Sequence, residues 1–462
     1  MRAPFCAPRL TIRPRGGTTA FRFRLRFADN FFVCGREGKC VSRLAAAETG
    51  SSMSETIVLF EDEGFLHLLP LVWWRSVFEL RVGRKIQMDL IAQRAGLPLG
   101  GVWTREWYAP VAAQRCGAPA NRPIRAGAIL VNGRWTPEAH EGFPPPPCVG
   151  ETPDGIAYIV CDEKLARSLR APVLLDPPRR AEILESVPRR AAEGRLIRYP
   201  WDIIADLPER LERQWRPADA TIESEIDLPF SDVDPKRLHV GERTSIHRTA
   251  VLDTSGGCIF ISHDVQIGAH AVIEGPAYIG PGTRIRPHAH LYNGVALGPV
   301  CRVGGEVCRC VLHGYTNKQH AGFLGHAIVG SWVNFGAGTT NSNLKNTYGT
   351  VRVPLGGHPI DTGMRFFGAV IADHAKLGIN TAIPTGAVIG LGVATASSGL
   401  LPKYLPSFSW VTDQGIRRGD PNRVLDIAAV VMSRRDVEMT DEEVELLIHL
   451  GEHVAEYESP AR

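Results

Sequence analysis

This chain of 462 residues lacks most of the features that would assign a sequence quickly. It has no apolar run near the ~18 residues of a membrane span, so no membrane partner is expected. Neither sign of charge dominates. Lys and Arg number 52 against 49 Asp and Glu, formally +3, and no broad basic surface argues for nucleic acid. Ten cysteines are scattered without framework spacing. Cys308 and Cys310 make C-x-C, but no second pair at metal spacing joins them, so free thiols in a cytoplasmic protein are expected. The one imbalance is at the front, where residues 1–52 carry ten Lys and Arg against three acids. Either this is a basic leader, or translation starts at Met53, where MSETIVLF opens a strand.

A period is present instead. From Val265 to Val307 an aliphatic residue returns every six places: Ile267, Ile273, Ile279, Ile285, Leu291, Leu297, Val303. Four places after each stands a small or modest residue: Ala271, Ala277, Thr283, Ala289, Val295, Cys301, Val307. A fixed six-residue period marks a parallel β-helix, three short strands to a coil, with the aliphatic filling the interior and the small residue where the chain bends. The step extends upstream through Val240, Ile246 and Leu252. Downstream it runs through Val329, Phe335, Ile371, Leu377, Ile383 and Ile389. Coils stack at about 4.8 Å, so the interruptions at 308–328 and 340–366 are expected to be loops thrown outward, where function usually sits.

Ahead of the period, strands are expected at 57–60, 128–131 and 156–160. Helices are expected from Ile86 and near 162–170, 179–186 and 207–214. That alternation predicts an α/β domain over 53–226 with a mostly parallel sheet. Residues 227–237, polar with two prolines, read as a linker. The β-helix follows over 238–410 and a helical tail over 411–462, where Thr440-Asp441-Glu442-Glu443 is a capping box.

The first interruption reads His313-Gly-Tyr-Thr-Asn-Lys-Gln-His320-Ala-Gly-Phe-Leu-Gly-His326. The next coil reads Val329-Gly-Ser-Trp-Val-Asn334-Phe-Gly-Ala-Gly-Thr339-Thr-Asn-Ser-Asn343-Leu-Lys345-Asn346. These blocks, with Asp373-His-Ala-Lys-Leu-Gly378-Ile-Asn380 and Pro406-Ser-Phe-Ser-Trp410, resemble a bifunctional bacterial family, in particular a divergent branch of it. That family acetylates glucosamine 1-phosphate and then makes the uridine diphosphate sugar. The resemblance implies a left-handed β-helix, a homotrimer with the active site between neighbours, and acetyl-CoA as co-substrate. It places His320 at the general base, and imidazole suits proton removal from an attacking amine at neutral pH. It implies sugar contacts at Asn334 and Asn343, phosphate contacts at Lys318 and Lys345, and acetyl-CoA along Ala337, Gly338, Gly378 and Asn380. A backbone N–H of the Gly336–Gly338 turn would serve the oxyanion. Two departures bear on the substrate. Phe323 stands where the family has a tyrosine, and an upstream family lysine is replaced near Glu306 and Cys308. A zinc site built from His288, His290, His313 and His326, as in gamma-class carbonic anhydrases, is not expected. The H-x4-H step is missing, five residues separating His320 from His326.

The same resemblance makes the front domain nucleotidyltransferase-like, yet the family's G-x-G-T-R phosphate loop is absent. Glu61-Asp62-Glu63-Gly64 stands in its place, and acids repel phosphate. Arg75, Arg81 and Lys85 are the candidate nucleotide contacts, and Asp202 the candidate Mg2+ ligand if this domain is active. The expected function is therefore an acetyl-CoA-dependent N-acetyltransferase acting on an amino-sugar phosphate or nucleotide sugar, fused to a degenerate nucleotidyltransferase domain. The alternatives are a sugar-1-phosphate nucleotidyltransferase whose β-helix only oligomerises, and a non-catalytic scaffold.

Overall fold

The structure, a computed structural model, describes residues 56–137, 142–356, 358–397 and 399–458. The basic opening and the choice between a leader and a start at Met53 lie outside the described residues. The described residues form one compact unit.

The front domain is built on a six-stranded sheet in the order Leu99–Trp103, Ile57–Phe60, Ile129–Asn132, Gly155–Val160, Cys148–Thr152, Arg189–Ala191. The first three strands are parallel, and Gly155–Val160 runs antiparallel to both of its neighbours. Ile57–Phe60 is buried along its whole length, as a central strand covered on both faces must be. The expected helices form at Gln87–Ala95, Glu163–Ser168, Pro177–Leu184 and Leu207–Arg213.

Behind it stands the parallel solenoid, with three faces. The inward column of face one runs Ile261, Ile279, Leu297, Leu312, Val329, Ile371, Ile389. Face two begins Ile246, Ile267, Ile285, Val303, and face three Leu252, Ile273, Leu291, Val307, Leu324. All these residues except half-buried Ile246 are buried, as are the seven small residues four places on, so the six-step does fill the prism. Residues 227–237 are no free linker. Ile222 bridges to Val240 and Asp232 to Asp253, and Ile226, Leu228 and Val233 pack on the core, making an irregular first coil that covers its open end.

The two interruptions differ in kind. Residues 308–328 stay in the prism. Leu297 pairs with Leu312 and Val303 with Lys318, fifteen places on, and Val307 with Leu324, seventeen places on. The coil has shortened at its corners, and that alone breaks the six-step. Residues 340–366 do leave, through the hairpin Arg352–Leu355 and His358–Asp361. The tail opens with the hairpin Ser409–Thr412 and Gly415–Arg418, then the helices Pro421–Ser433 and Asp441–Glu458.

The outer side of face one is apolar: Ala296, Val311, Ile328, Val370 and Val388 join the front domain's core. Arg75 is buried and pairs with the buried carboxylate of Asp373. The Arg81 N–H donates to His313 Nε2 at 3.1 Å. Glu458 at the end of the last helix accepts from Trp73 Nε1 at 2.8 Å and from the Ser407 N–H at 2.7 Å, clasping both halves. Face one is thus covered, leaving the edge between faces two and three outward.

Candidate functional site

That edge carries the expected acyl-transfer residues on successive coils. His320 is exposed at the corner leading from Asn317–Lys318 to Phe323–Gly325. One coil on lies the corner Gly336-Ala337-Gly338, whose Gly338 N–H donates to Ala321 O at 3.2 Å. A further coil on lies Gly378-Ile379-Asn380, whose Asn380 N–H donates to Ala337 O at 2.7 Å. Gly338 has φ +74°, and a methyl there would collide with the Asn380 amide oxygen, so only glycine lets the corners stack. The Gly336 N–H goes to Leu377 O. Of the three N–H groups in this turn, Ala337's has no acceptor among the described residues.

Lys318 lies elsewhere than expected. Its side chain points into the prism, two per cent exposed, at the position Val303 holds one coil earlier. Its Nζ donates to the carbonyls of Gly304 at 2.9 Å and His320 at 2.7 Å. Burial pushes its pKa down to about 8. Instead of meeting a sugar phosphate, it ties down the corner that bears His320. Lys345 is half-buried and donates to Thr350 O at 3.0 Å within its own turn.

Asn334 is half-buried on the outer side of face two, in register with Asn317 one coil earlier. Asn343 lies beyond face three, its Nδ2 donating to His326 Nδ1 at 2.9 Å. His326 stacks on Phe366 and is kept neutral, its pKa pushed down to about 4 by burial and then by Arg309. Asn341 is an interior ladder residue: its amide accepts from the Gly325 N–H at 2.8 Å and donates to Gly325 O at 2.9 Å. On the outer side of face three, Glu306 lies between His290 and Phe323 in register and accepts from the Tyr292 hydroxyl at 2.6 Å. An acid therefore occupies the neighbourhood where the family lysine is missing.

In the front domain, the acids after the first strand fill the arginines around them. Glu61 takes Arg105 through both carboxylate oxygens, at 3.0 and 3.2 Å, and all these groups are buried. Asp62 takes Arg134 at 2.8 and 2.6 Å, and Glu63 pairs with Arg180. Burial raises the Asp62 pKa, but Arg134 outweighs it and leaves the carboxyl below its ordinary value. Arg75 belongs to the Asp373 pair. Arg81 Nη1 donates to the carbonyls of Gly83 and Arg84, at 3.3 and 2.6 Å. Neither is available to a nucleotide. Lys85 alone reaches a surface cleft, beside Gln93, Arg94 and Arg216, and burial and then Arg84 lower its pKa. Asp202 Oδ2 accepts from the N–H groups of Arg198 at 2.8 Å and Tyr199 at 2.9 Å, closing a turn. Among the described residues no group of three or more His, Cys, Asp or Glu could hold a metal. One oxygen of the Asp202 carboxylate is thus committed to two backbone donors.

A parallel solenoid behind an α/β domain is the architecture that the sequence resemblance implied, and the comparisons agree with that resemblance. Residues 57–216 match the family model described as sugar nucleotidyl transferase. The chain is similar to the bifunctional protein GlmU of Synechococcus elongatus, 27% identical over 253 residues, 50% of this chain and 49% of that relative. It is also similar to GlmU of Ralstonia nicotianae, 28% identical over 197 residues, 38% of this chain and 39% of that one. The chain thus spans about half the length of the first of these relatives, and less of the second. Among solved structures, AntD, an N-acyltransferase from Bacillus cereus, is 13% identical and covers 43% of this chain and 90% of its own, with a TM-score of 0.17. A score that low adds nothing to the architecture already described. Together the similarities are to sugar nucleotidyl transferases, over the front domain, and to bifunctional GlmU proteins. No helix among the described residues is long and apolar enough to cross a membrane.

Proposed function

We propose that the chain transfers an acetyl group from acetyl-CoA to the amine of a sugar phosphate or nucleotide sugar, at the edge between faces two and three. What carries this is the stack of three corners. It puts an exposed imidazole at His320, a free N–H at Ala337 and the corner Gly378–Asn380 on successive coils. The amine nitrogen attacks the thioester carbonyl while His320 takes its proton. The Ala337 N–H donates to the oxyanion, the C–S bond breaks, and coenzyme A leaves as the thiol once the proton is returned. Asn334 and Asn343 hold the sugar, each amide offering donor and acceptor. Asn343 is fixed by His326, so its oxygen is left to accept.

The assembly is a homotrimer in which the next copy closes the edge. Ile379 on that edge and Leu400 beside face three are 68% and 70% exposed in the single chain, and a second copy would cover them. The front domain braces face one and has lost nucleotidyl transfer. The family-model match favours a retained activity, but the arginines nearest the first strand are occupied by Glu61, Asp62 and Glu63.

Thiol release from acetyl-CoA with glucosamine 1-phosphate and related amino sugars tests the first claim. His320→Ala is expected to lower kcat by about 10²–10⁴-fold at unchanged oligomer mass. Turnover unaffected by the substitution would remove His320 from the chemistry. For the front domain, UTP with N-acetylglucosamine 1-phosphate should give no pyrophosphate, and release of it would restore the second activity.

A further inference from the structure

The outer side of face two carries a row that the reading so far leaves unused. Arg284 and Arg302 are in register on adjacent coils, followed by Asn317 and Asn334. Arg435, just past the end of the helix Pro421–Ser433, reaches the same row and donates through Nη2 to Asn317 Oδ1 at 2.8 Å. Arg302 Nη1 is held by the carbonyls of Gly282 at 2.9 Å and Cys301 at 3.1 Å, which fix the guanidinium without neutralising it. No carboxylate among the described residues forms an ion pair with Arg284, Arg302 or Arg435, whereas the arginines nearest the first strand of the front domain, Arg105, Arg134 and Arg180, each have one. Three guanidiniums gathered this way repel one another. Arg302 shows it, lowered to about 10 by burial first and then by Arg435 and Arg284. An anion from outside the chain would relieve that repulsion, and the planar fork of arginine suits phosphate oxygens.

The opposite side of the edge is closed to such a group. There Glu306 is exposed beside Phe323 and bonded to Tyr292, with Glu274 and His290 paired on the neighbouring coils. From Arg302 to Asn334 is two coils, about 10 Å at the strand spacing. A hexosamine with a phosphoryl group spans such a distance, its amine toward the His320 corner.

We propose that Arg284, Arg302 and Arg435 form a phosphate-binding site on face two that takes the phosphoryl group of a substrate of the acyl-transfer edge. This rests on the acyl-transfer reading for the identity of the substrate but not for the binding itself. Two sources share the chemistry: the phosphate or diphosphate of the acceptor sugar, and the phosphates of coenzyme A. Calorimetric titration of the intact protein with uridine diphosphate, glucosamine 1-phosphate and coenzyme A separates them. Arg284→Ala, at an exposed position, and Arg435→Ala, at a half-buried one, should each weaken the bound phosphate ligand at least tenfold, with Arg302→Gln as a third variant. Weakening confined to uridine diphosphate and glucosamine 1-phosphate assigns the site to the acceptor, and weakening confined to coenzyme A assigns it to the donor. Unchanged affinities in all three variants overturn the site. So does a loss of oligomer mass at unchanged affinity, which would make these arginines ion-pair partners of Glu274 and Glu306 in a second copy. Variants that lose phosphate binding in a protein that transfers no acetyl group would keep the site and sink the acyl-transfer reading.

Discussion

At His320 the side chain is free while its carbonyl is held. Lys318 donates to that carbonyl from inside the prism, so the corner bearing the imidazole is anchored by an ammonium taken out of water. Burying an ammonium is costly, and only its two carbonyl partners offset the cost. Lys318→Met keeps the volume and removes both the charge and the tether. Its thermal midpoint is expected to hold or rise while kcat falls roughly tenfold or more, since a small misplacement of a reacting group costs rate steeply. A parallel loss of folded protein and activity would make Lys318 merely structural. His320 was legible in sequence through its motif. The inward turn of Lys318 was not, because the shortened coil hides that it continues the column of Ile285 and Val303.

Among the elements, the acidic run after the first strand shows most clearly what local sequence can and cannot tell. That it displaces a phosphate loop was readable from four letters. That Arg105, Arg134 and Arg180 converge on it from distant elements was not, since ion pairs across 44, 72 and 117 residues leave no local signature. Arg134→Ala strands the buried Asp62 charge and is expected to cost about 3–5 kcal/mol in urea unfolding. The double variant Asp62→Asn with Arg134→Met should recover most of it, and a single-variant loss under about 1 kcal/mol would contradict the pairing. The repeat itself was legible because every coil imposes the same packing. The expected loop at 308–328 failed because lost corner residues and an outward excursion break the six-step alike. The apolar outer positions Ala296, Val311 and Ile328 could have revealed the front domain's seat on face one, had they been read against the inner column.

For the molecule as a whole, buried neutral histidines set the response to acid. His326 is pushed down to about 4, and His313 and His374 lie well below the ordinary 6.5, chiefly through burial. Protonating His313 would also remove the acceptor for the Arg81 N–H, a link between the two halves. With folded pKa values below the unfolded 6.5, the unfolded chain takes up protons first as pH falls. Stability is therefore full above about pH 6.5 and declines toward pH 4. Urea midpoints at pH 7.5 and 5 should differ in that sense, and His326→Asn should flatten the difference. A midpoint that rises on acidification would refute the burial of these rings as neutral groups.

Hydrogen–deuterium exchange with and without acetyl-CoA tests the acyl-transfer edge most directly. Added protection is expected at the corners 319–322, 336–338 and 378–380, with the Ala337 amide among the protected sites and no change around residues 61–63. Protection confined to the front domain, or none at the three stacked corners, would contradict the claim that the thioester binds along that edge.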